Sequence, residues 1–319
     1  MAQALLPLAV GPAIHIIGFI IKSLSMSIPI QYTVTIVLAH RSAKKFKLAT
    51  SLAEDLSQIR ILSKNKAFEY NINKKPSKSK LKNILQSNEV PADISISNDP
   101  QRKKKLLICD MDSTLIGQEC IDELADFAGI KMLVSKITES AMNGEINFEE
   151  ALIKRVSLLK NLDISSLKKC FQERITINKG ARILCQTMKA NGAKTAIVSG
   201  GFTFFTNEIA LACGFETHSA NELISVKNKL TGVVKKPILG REAKLNTLKH
   251  LTTDLGGSSS ALAIGDGAND LSMIKAAGLG IAYKAKQIVA SEAKCEILHT
   301  DLTTALYFQG YSESEFVFS

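Results

Sequence analysis

Two aspartates, Asp110 and Asp112, stand one residue apart where the apolar run LLIC ends, in the stretch LLICDMDSTLIGQEC. Like charges repel and burial penalises an ionised carboxylate, so a strand end needs a reason to carry such a pair. Three further polar clusters follow: VSGG with Ser199, Gly200 and Gly201, GREAK with Lys244, and GDGAND with Asp266, Asn269 and Asp270. A divalent cation would reconcile the carboxylates, because Mg²⁺ prefers carboxylate oxygens, keeps several waters and often bridges to a phosphate. Asp110 and Asp266 could share one such ion, which would also let an anionic phosphate approach an anionic nucleophile. GDGAND lacks the third glycine's spacing of a dinucleotide fingerprint.

These residues need a scaffold that brings them together. After the polar segment SNDPQRKKK the chain alternates short apolar runs, KLLIC, AKTAIV, ALAI and LGIAY, with amphipathic stretches such as ARILCQTMKAN, TFFTNEIALACG and DLSMIKAAG. That alternation predicts an α/β fold, a Rossmann-like parallel sheet with crossover helices. The first three runs end in the polar clusters, and ligands bind at the carboxyl ends of such strands. Between the first and second runs lie about 80 residues, far more than one crossover needs. CIDELADFAGI, KMLVSKITESAM and FEEALIKRVSLLK lie there and predict an inserted helical cap over about 118–178, able to close and exclude water. The parallel-sheet domain with this cap is expected over 104–319.

Upstream, QYTVTIVLA, SAKKFKLATSLAEDLSQ, IRILSKNKAFEYNI, KLKNILQS and ADISIS read as strand, helix, strand, helix and strand. They predict a small α+β domain over 28–98. Residues 1–27 carry no charge before Lys22 but are broken by Pro7, Gly11, Pro12, His15 and Gly18 and lack a basic start. The expectation is a poorly ordered apolar extension, or an internal start at Met26, rather than a membrane span.

The chain has 40 Lys+Arg against 30 Asp+Glu, a formal charge of +10. Much of the excess falls between Lys64 and Lys105 with only Phe68 and Tyr70 as aromatics. That pattern suits a solvated lysine-rich face better than a nucleic-acid platform, which interleaves aromatics. Six cysteines without a C-x-x-C pair, and five scattered histidines, exclude an obvious zinc site or Ser-His-Asp triad and point to reduced thiols in the cytoplasm.

DMDST, VSGG, the lysine of GREAK and GDGAND, in this order over 104–310, resemble the haloacid dehalogenase-like phosphatases. DSTLIGQECIDELA, AMNGEINFEEALIKRVSLLK, VSGGF and GDGANDLSM are similar to the phosphoserine phosphatase branch of that superfamily. The resemblance implies a Mg²⁺-dependent hydrolysis of O-phospho-L-serine to L-serine and phosphate, the last step of serine biosynthesis. It implies Asp110 as the nucleophile that forms an aspartyl-phosphate, and Asp112 as general acid and then base. A charge next to Asp112 would keep a proton available on it. Ser199, Gly200 and Gly201 would hold phosphoryl oxygens, and Lys244 would neutralise developing charge. The implied metal ligands are Asp110, Asp266 and the Asp112 backbone carbonyl, with Asp270 in an outer role and Asn269 orienting water or phosphate. Glu119 would face the substrate ammonium and Arg155 its carboxylate, with Met142 and Phe148 shielding the site.

The expected partner is therefore a small molecule, with no nucleic acid, no membrane and a possible homodimer. The competing expectation is a phosphotransferase or phosphomonoesterase of the same family with another small substrate, for example a phosphoserine:homoserine phosphotransferase. A regulatory protein that keeps the fold without catalysis is disfavoured by the intact acidic and basic set. The upstream α+β domain resembles ACT-like regulatory domains.

Overall fold

The computed structural model describes residues 31–53, 59–142 and 145–318, so the expectations for 1–27 and for Met26 lie outside the described residues, as does the side chain of Met142. The first elements are β1 (Tyr32–Leu38), α1 (Ala43–Thr50), β2 (Arg60–Ser63), β3 (Ala67–Ile72), α2 (Lys78–Ser87) and β4 (Ala92–Ser97). They form an antiparallel sheet in the order β2-β3-β1-β4, the split βαβ arrangement. Strand periodicity explains how it packs: Val34, Ile36 and Leu38 join the cluster that includes Leu81 and Leu85 of α2, while Val37 points the other way into the main core. The stretch IRILSKNKAFEYNI, expected as one strand, is a hairpin. Asn65 adopts φ 59°, a left-handed turn conformation that asparagine tolerates, and splits the run into β2 and β3.

Next come β5 (Leu106–Cys109), four cap helices α3 (Cys120–Phe127), α4 (Lys131–Met142), α5 (Phe148–Ser157) and α6 (Ser165–Arg174), then α7 (Ala181–Ala190), β6 (Lys194–Phe202) and α8 (Thr203–Cys213). After β7 (Thr217–Asn221) a hairpin, β8 (Leu223–Val226) and β9 (Lys229–Val234), leads to α9 (Arg241–Leu251) and β10 (Ala261–Gly265). The chain closes with α10 (Leu271–Ala276), β11 (Leu279–Tyr283), α11 (Gln287–Glu292), β12 (Cys295–Ile297) and α12 (Thr304–Phe308). The six core strands are parallel, in the order β12-β11-β10-β5-β6-β7. The chain winds outward from β5 through β6 and β7, then returns to start β10 on the other flank of β5. This reversal opens a crevice between β5 and β10 at their carboxyl ends. β5 and β10 are buried at every residue, as central strands covered on both faces must be.

Two core strands escaped the sequence reading. β7 is THSAN, a polar edge strand, and β12 is three residues long. Neither carries an apolar run long enough to announce itself.

The segments entering and leaving the cap lie side by side. Ile116 and Ile177 form an antiparallel bridge, Gly117 N–H donates to Thr176 O at 3.1 Å and Asn178 N–H to Leu115 O at 2.8 Å. Beyond the insertion itself, β9 supports the cap: Asn161 N–H donates to Leu230 O, and Leu230 N–H to Leu162 O, both at 2.8 Å.

The small sheet is bolted to the core through buried polar contacts. Asp93 of β4, 3% exposed, accepts N–H bonds from Leu298, His299 and Thr300 and the hydroxyl of Thr300. Glu69 of β3 takes a fork of two bonds from Arg102, geometry that fixes orientation as well as adding energy.

Candidate active site

Parallel pairing of β5 with β10 sets Cys109 opposite Ile264, so Asp110 and Asp266 leave adjacent strand ends together. Asp110 Oδ1 accepts the Met111 N–H at 2.7 Å and Oδ2 lies 2.5 Å from Lys244 Nζ. The same Nζ is 2.6 Å from Asp270 Oδ1, whose other oxygen accepts the Gly267 N–H at 3.0 Å. Asp266 Oδ1 accepts the Thr114 hydroxyl at 2.7 Å. Lys244 reaches the centre because it shares a helix face with Leu248, four residues on, and both are buried. Gly265 allows the approach: a Cβ there would sit 2.4 Å from Asp270 Cγ.

Carboxylate oxygens of Asp110, Asp266 and Asp270 come within 4.8 Å of one another. Burial, then the charge of Asp110, pushes both Asp266 and Asp270 up to about 7. Burial alone would lower Lys244, but facing Asp110 and Asp270 outweighs it and holds the ammonium above its ordinary range. One buried cation against three crowded carboxylates of hard oxygen donors is a donor set that suits a further cation of the Mg²⁺ kind. The site fits such an ion through Asp110 and Asp266 on adjacent strand ends, with Asp270 close by and tied to Lys244 and Gly267.

Asp112 lies half-buried in the turn that follows β5. Its Oδ1 accepts the Cys120 N–H at 3.1 Å, and its pKa is raised well above the ordinary carboxyl value by burial first, then by Glu119, with Asp110 contributing less. Desolvation is thus a larger cause than the Asp110 charge expected from the sequence. Gly201 makes room for it, since a Cβ at that position would fall 2.6 Å from Asp112 Oδ2.

Ser199, Gly200 and Gly201 lie within β6 rather than beyond its end, where pairing with β7 shifts register between Val198 and Phe202. The Gly201 N–H donates to Ser199 Oγ at 2.9 Å, so in this conformation it is engaged internally. Buried Asn221 of β7 holds the loop from behind, donating to Gly200 O and to Leu239 O and accepting from Leu239 N–H. Sequence reasoning missed Asn221, which has no motif around it. It also passed over Thr114, although this residue stands inside DMDST.

Asp110, Asp112, Glu119, Phe148, Arg155, Ser199, Gly200, Asp266 and Asn269 all line one cavity of about 460 Å³ between cap and core. Lys244 lies outside that lining, bonded to Asp110 and in turn to Asp270. Glu119, the N-cap residue of α3, accepts the hydroxyl of Ser113 at 2.7 Å; Ser113 itself adopts φ 53°, uncommon for a residue with a side chain. Burial raises the Glu119 carboxyl, opposed by the Ser113 bond. Arg155 stands in the last turn of α5, its Nε donating to Ala151 O at 3.3 Å. Burial lowers its pKa, with Asp122, Glu119 and Asp112 favouring the charge in that order. Phe148 opens α5 and closes on the β6 loop, its Cζ 2.9 Å from where a Gly200 Cβ would be.

Comparison with known proteins gives these positions a setting. Residues 104–278 match the haloacid dehalogenase-like hydrolase family. A phosphoserine phosphatase of Saccharomyces cerevisiae is 38% identical over 241 residues, 75% of this chain and 78% of the yeast protein. A solved substrate-bound phosphoserine phosphatase is 43% identical and superposes with a TM-score of 0.60 over 65% of this chain and 98% of its own. A haloacid dehalogenase family hydrolase from Salmonella enterica serovar Typhi is 27% identical with a TM-score of 0.77 over 87% of this chain and 98% of its own. The last likeness takes in much of the small antiparallel sheet as well as the core.

Proposed function

The chain belongs to the haloacid dehalogenase-like hydrolases, and from that premise we propose that it is a Mg²⁺-dependent phosphoserine phosphatase that releases L-serine and phosphate from O-phospho-L-serine. The observation that carries the reading is one cavity lined by Asp110 and Asp112, with Lys244 bonded to Asp110 from behind, and by an opposite-charged pair, Glu119 and Arg155, on its cap side. A phosphoserine head bears one ammonium and one carboxylate, so an enclosed site needs one fixed anion and one fixed cation to hold it.

Asp110 attacks phosphorus and forms an aspartyl-phosphate while serine departs. Lys244, held against the nucleophile at 2.5 Å, offsets charge that grows on the phosphoryl oxygens. Asp112, kept protonatable by burial, donates the proton that the serine oxygen needs and then takes one from the water that hydrolyses the intermediate. Ser199 and the Gly200 backbone hold phosphoryl oxygens, and Gly201 joins them if its N–H leaves the serine hydroxyl. Asp110 and Asp266, with the Asp112 carbonyl, would hold Mg²⁺, which when bound supplies Lewis-acid neutralisation of the phosphate; Asn269 and Asp270 flank that set. Phe148 excludes water from the phosphoryl site.

The same reading places the enzyme in the cytoplasm, in keeping with six free, buried thiols. Among the described residues no helix is long and apolar enough to cross a membrane. The test is phosphate release over L- and D-phosphoserine, phosphothreonine and phosphoglycolate, with Mg²⁺ and with excess EDTA. The expected result is Mg²⁺-dependent release with preference for L-phosphoserine; a folded protein that ignores L-phosphoserine but cleaves another ester contradicts it. Adding homoserine and looking for phosphohomoserine separates water from an alcohol as acceptor.

A further inference from the structure

Among the described residues, one buried side-chain oxygen or nitrogen has no hydrogen-bond partner, Oδ1 of Asp122. The residue sits in the first turn of α3, three positions after Glu119, and lines the same cavity as Glu119 and Arg155. A carboxylate in that turn often folds back onto the backbone N–H of the N-cap residue. Asp122 makes no such bond with Oδ1. A buried acceptor without a donor is costly, so its retention on a cavity wall calls for a donor that arrives there.

Arg155 has the complementary deficit. Its Nε is tied to Ala151 O, which leaves the terminal nitrogens of the guanidinium to be oriented by something else. Of the anions around it, Asp122 favours its charge most, ahead of Glu119. Glu119 is already held by the Ser113 hydroxyl, whereas Asp122 is not engaged at Oδ1.

Resting on the phosphoserine reading, we propose that Asp122 is a positioning residue for Arg155: its free oxygen takes one guanidinium N–H and turns the remaining donors toward the carboxylate of the substrate. The guanidinium is a rigid fork, so fixing one edge fixes where the other points. Asp122 thus acts on recognition of the carboxylate end and leaves phosphoryl transfer at Asp110 alone.

The experiment compares wild type, Asp122→Asn, Arg155→Ala and the double variant on L-phosphoserine and on phosphoethanolamine, which keeps the ammonium and lacks the carboxylate. Asp122→Asn raises KM for L-phosphoserine about tenfold, the scale of one charge-assisted hydrogen bond. Its kcat stays within about twofold, and kcat/KM for phosphoethanolamine is unchanged. In the Arg155→Ala background the second substitution adds nothing. Equal losses on both substrates, additive losses in the double variant, or an unchanged KM each overturn the proposal. Asp122→Ala provides the same comparison if the asparagine variant folds poorly. A wild type that hydrolyses other phosphate esters but not L-phosphoserine overturns the functional reading instead, and that result is distinct from all of these.

Discussion

Lys244 is the residue on which the proposed centre depends electrostatically. It is 1% exposed and bonds two carboxylates at once. Replacing it by Met leaves Asp110 and Asp270 buried without their shared cation, a change that costs about 3–5 kcal/mol when one partner of a buried pair is lost. It also removes a donor to the developing phosphoryl charge, worth about 10²–10³-fold in kcat. Thermal unfolding and steady-state kinetics on Lys244→Met check both, and a variant of wild-type stability contradicts the charge assignment. At this scale the sequence was informative where roles come in motifs. Asp110, Asp112, Ser199 and Asp266 converge because strand ends in a parallel sheet converge, and Lys244 reaches them from the buried face of α9. Asn221 and Asp122 stayed invisible because their importance lies in contacts made across the fold, Asn221 to Leu239 and Gly200 and Asp122 to the cap cavity.

Among the elements, β6 shows how a strand can shape a site. Its Ser-Gly-Gly segment lies against Asp112 on one side and Phe148 on the other. Gly201→Ala would drive a methyl into Asp112 Oδ2 from 2.6 Å. A displacement of this size at a reacting group costs about 10²-fold in kcat. The fold should survive, since β6 keeps its ladder; far-ultraviolet circular dichroism with kinetics separates the two effects. The alternating apolar runs made the central strands legible, and the long interval after β5 made the cap legible. The β8–β9 hairpin did not announce itself: its exposed Val226 and Val233 blur the alternation, and its role is to brace a cap that is remote in sequence.

For the molecule as a whole, the seam between the small sheet and the core is built from ion pairs and caps. Asp93→Ala strips the acceptor from three backbone N–H groups after β12, the Thr300 one buried, and a loss of about 2 kcal/mol is expected, measured by urea unfolding. The C-terminal turn adds a pH-dependent clasp. Glu315 accepts from Lys103 and from the Ser312 N–H, and these bonds, the Lys103 one foremost, hold its carboxyl down at about 2 against an ordinary 4.5. Because the folded value is the lower one, the clasp contributes fully above the unfolded carboxyl range and is lost as pH falls from 4.5 towards 2. Glu315→Gln should flatten that part of the acid stability profile, with a small amplitude because the pair is solvent-screened. None of this seam was legible in the sequence, where the lysines from 64 to 105 read as a solvated face. Lys82, Arg102 and Lys103 find acidic partners in Glu296, Glu69 and Glu315, and Lys104 pairs locally with Asp99.

The central claim is that Asp110 carries the phosphoryl group between substrate and water. Acid quenching of the protein during turnover of L-phosphoserine labelled at phosphorus, followed by peptide mapping, tests it most directly. Label on the peptide containing Asp110 is predicted, and it should vanish in Asp110→Asn together with phosphate release, a loss on the order of 10⁴-fold or more. Turnover that persists in Asp110→Asn, or label found on another residue, would contradict it.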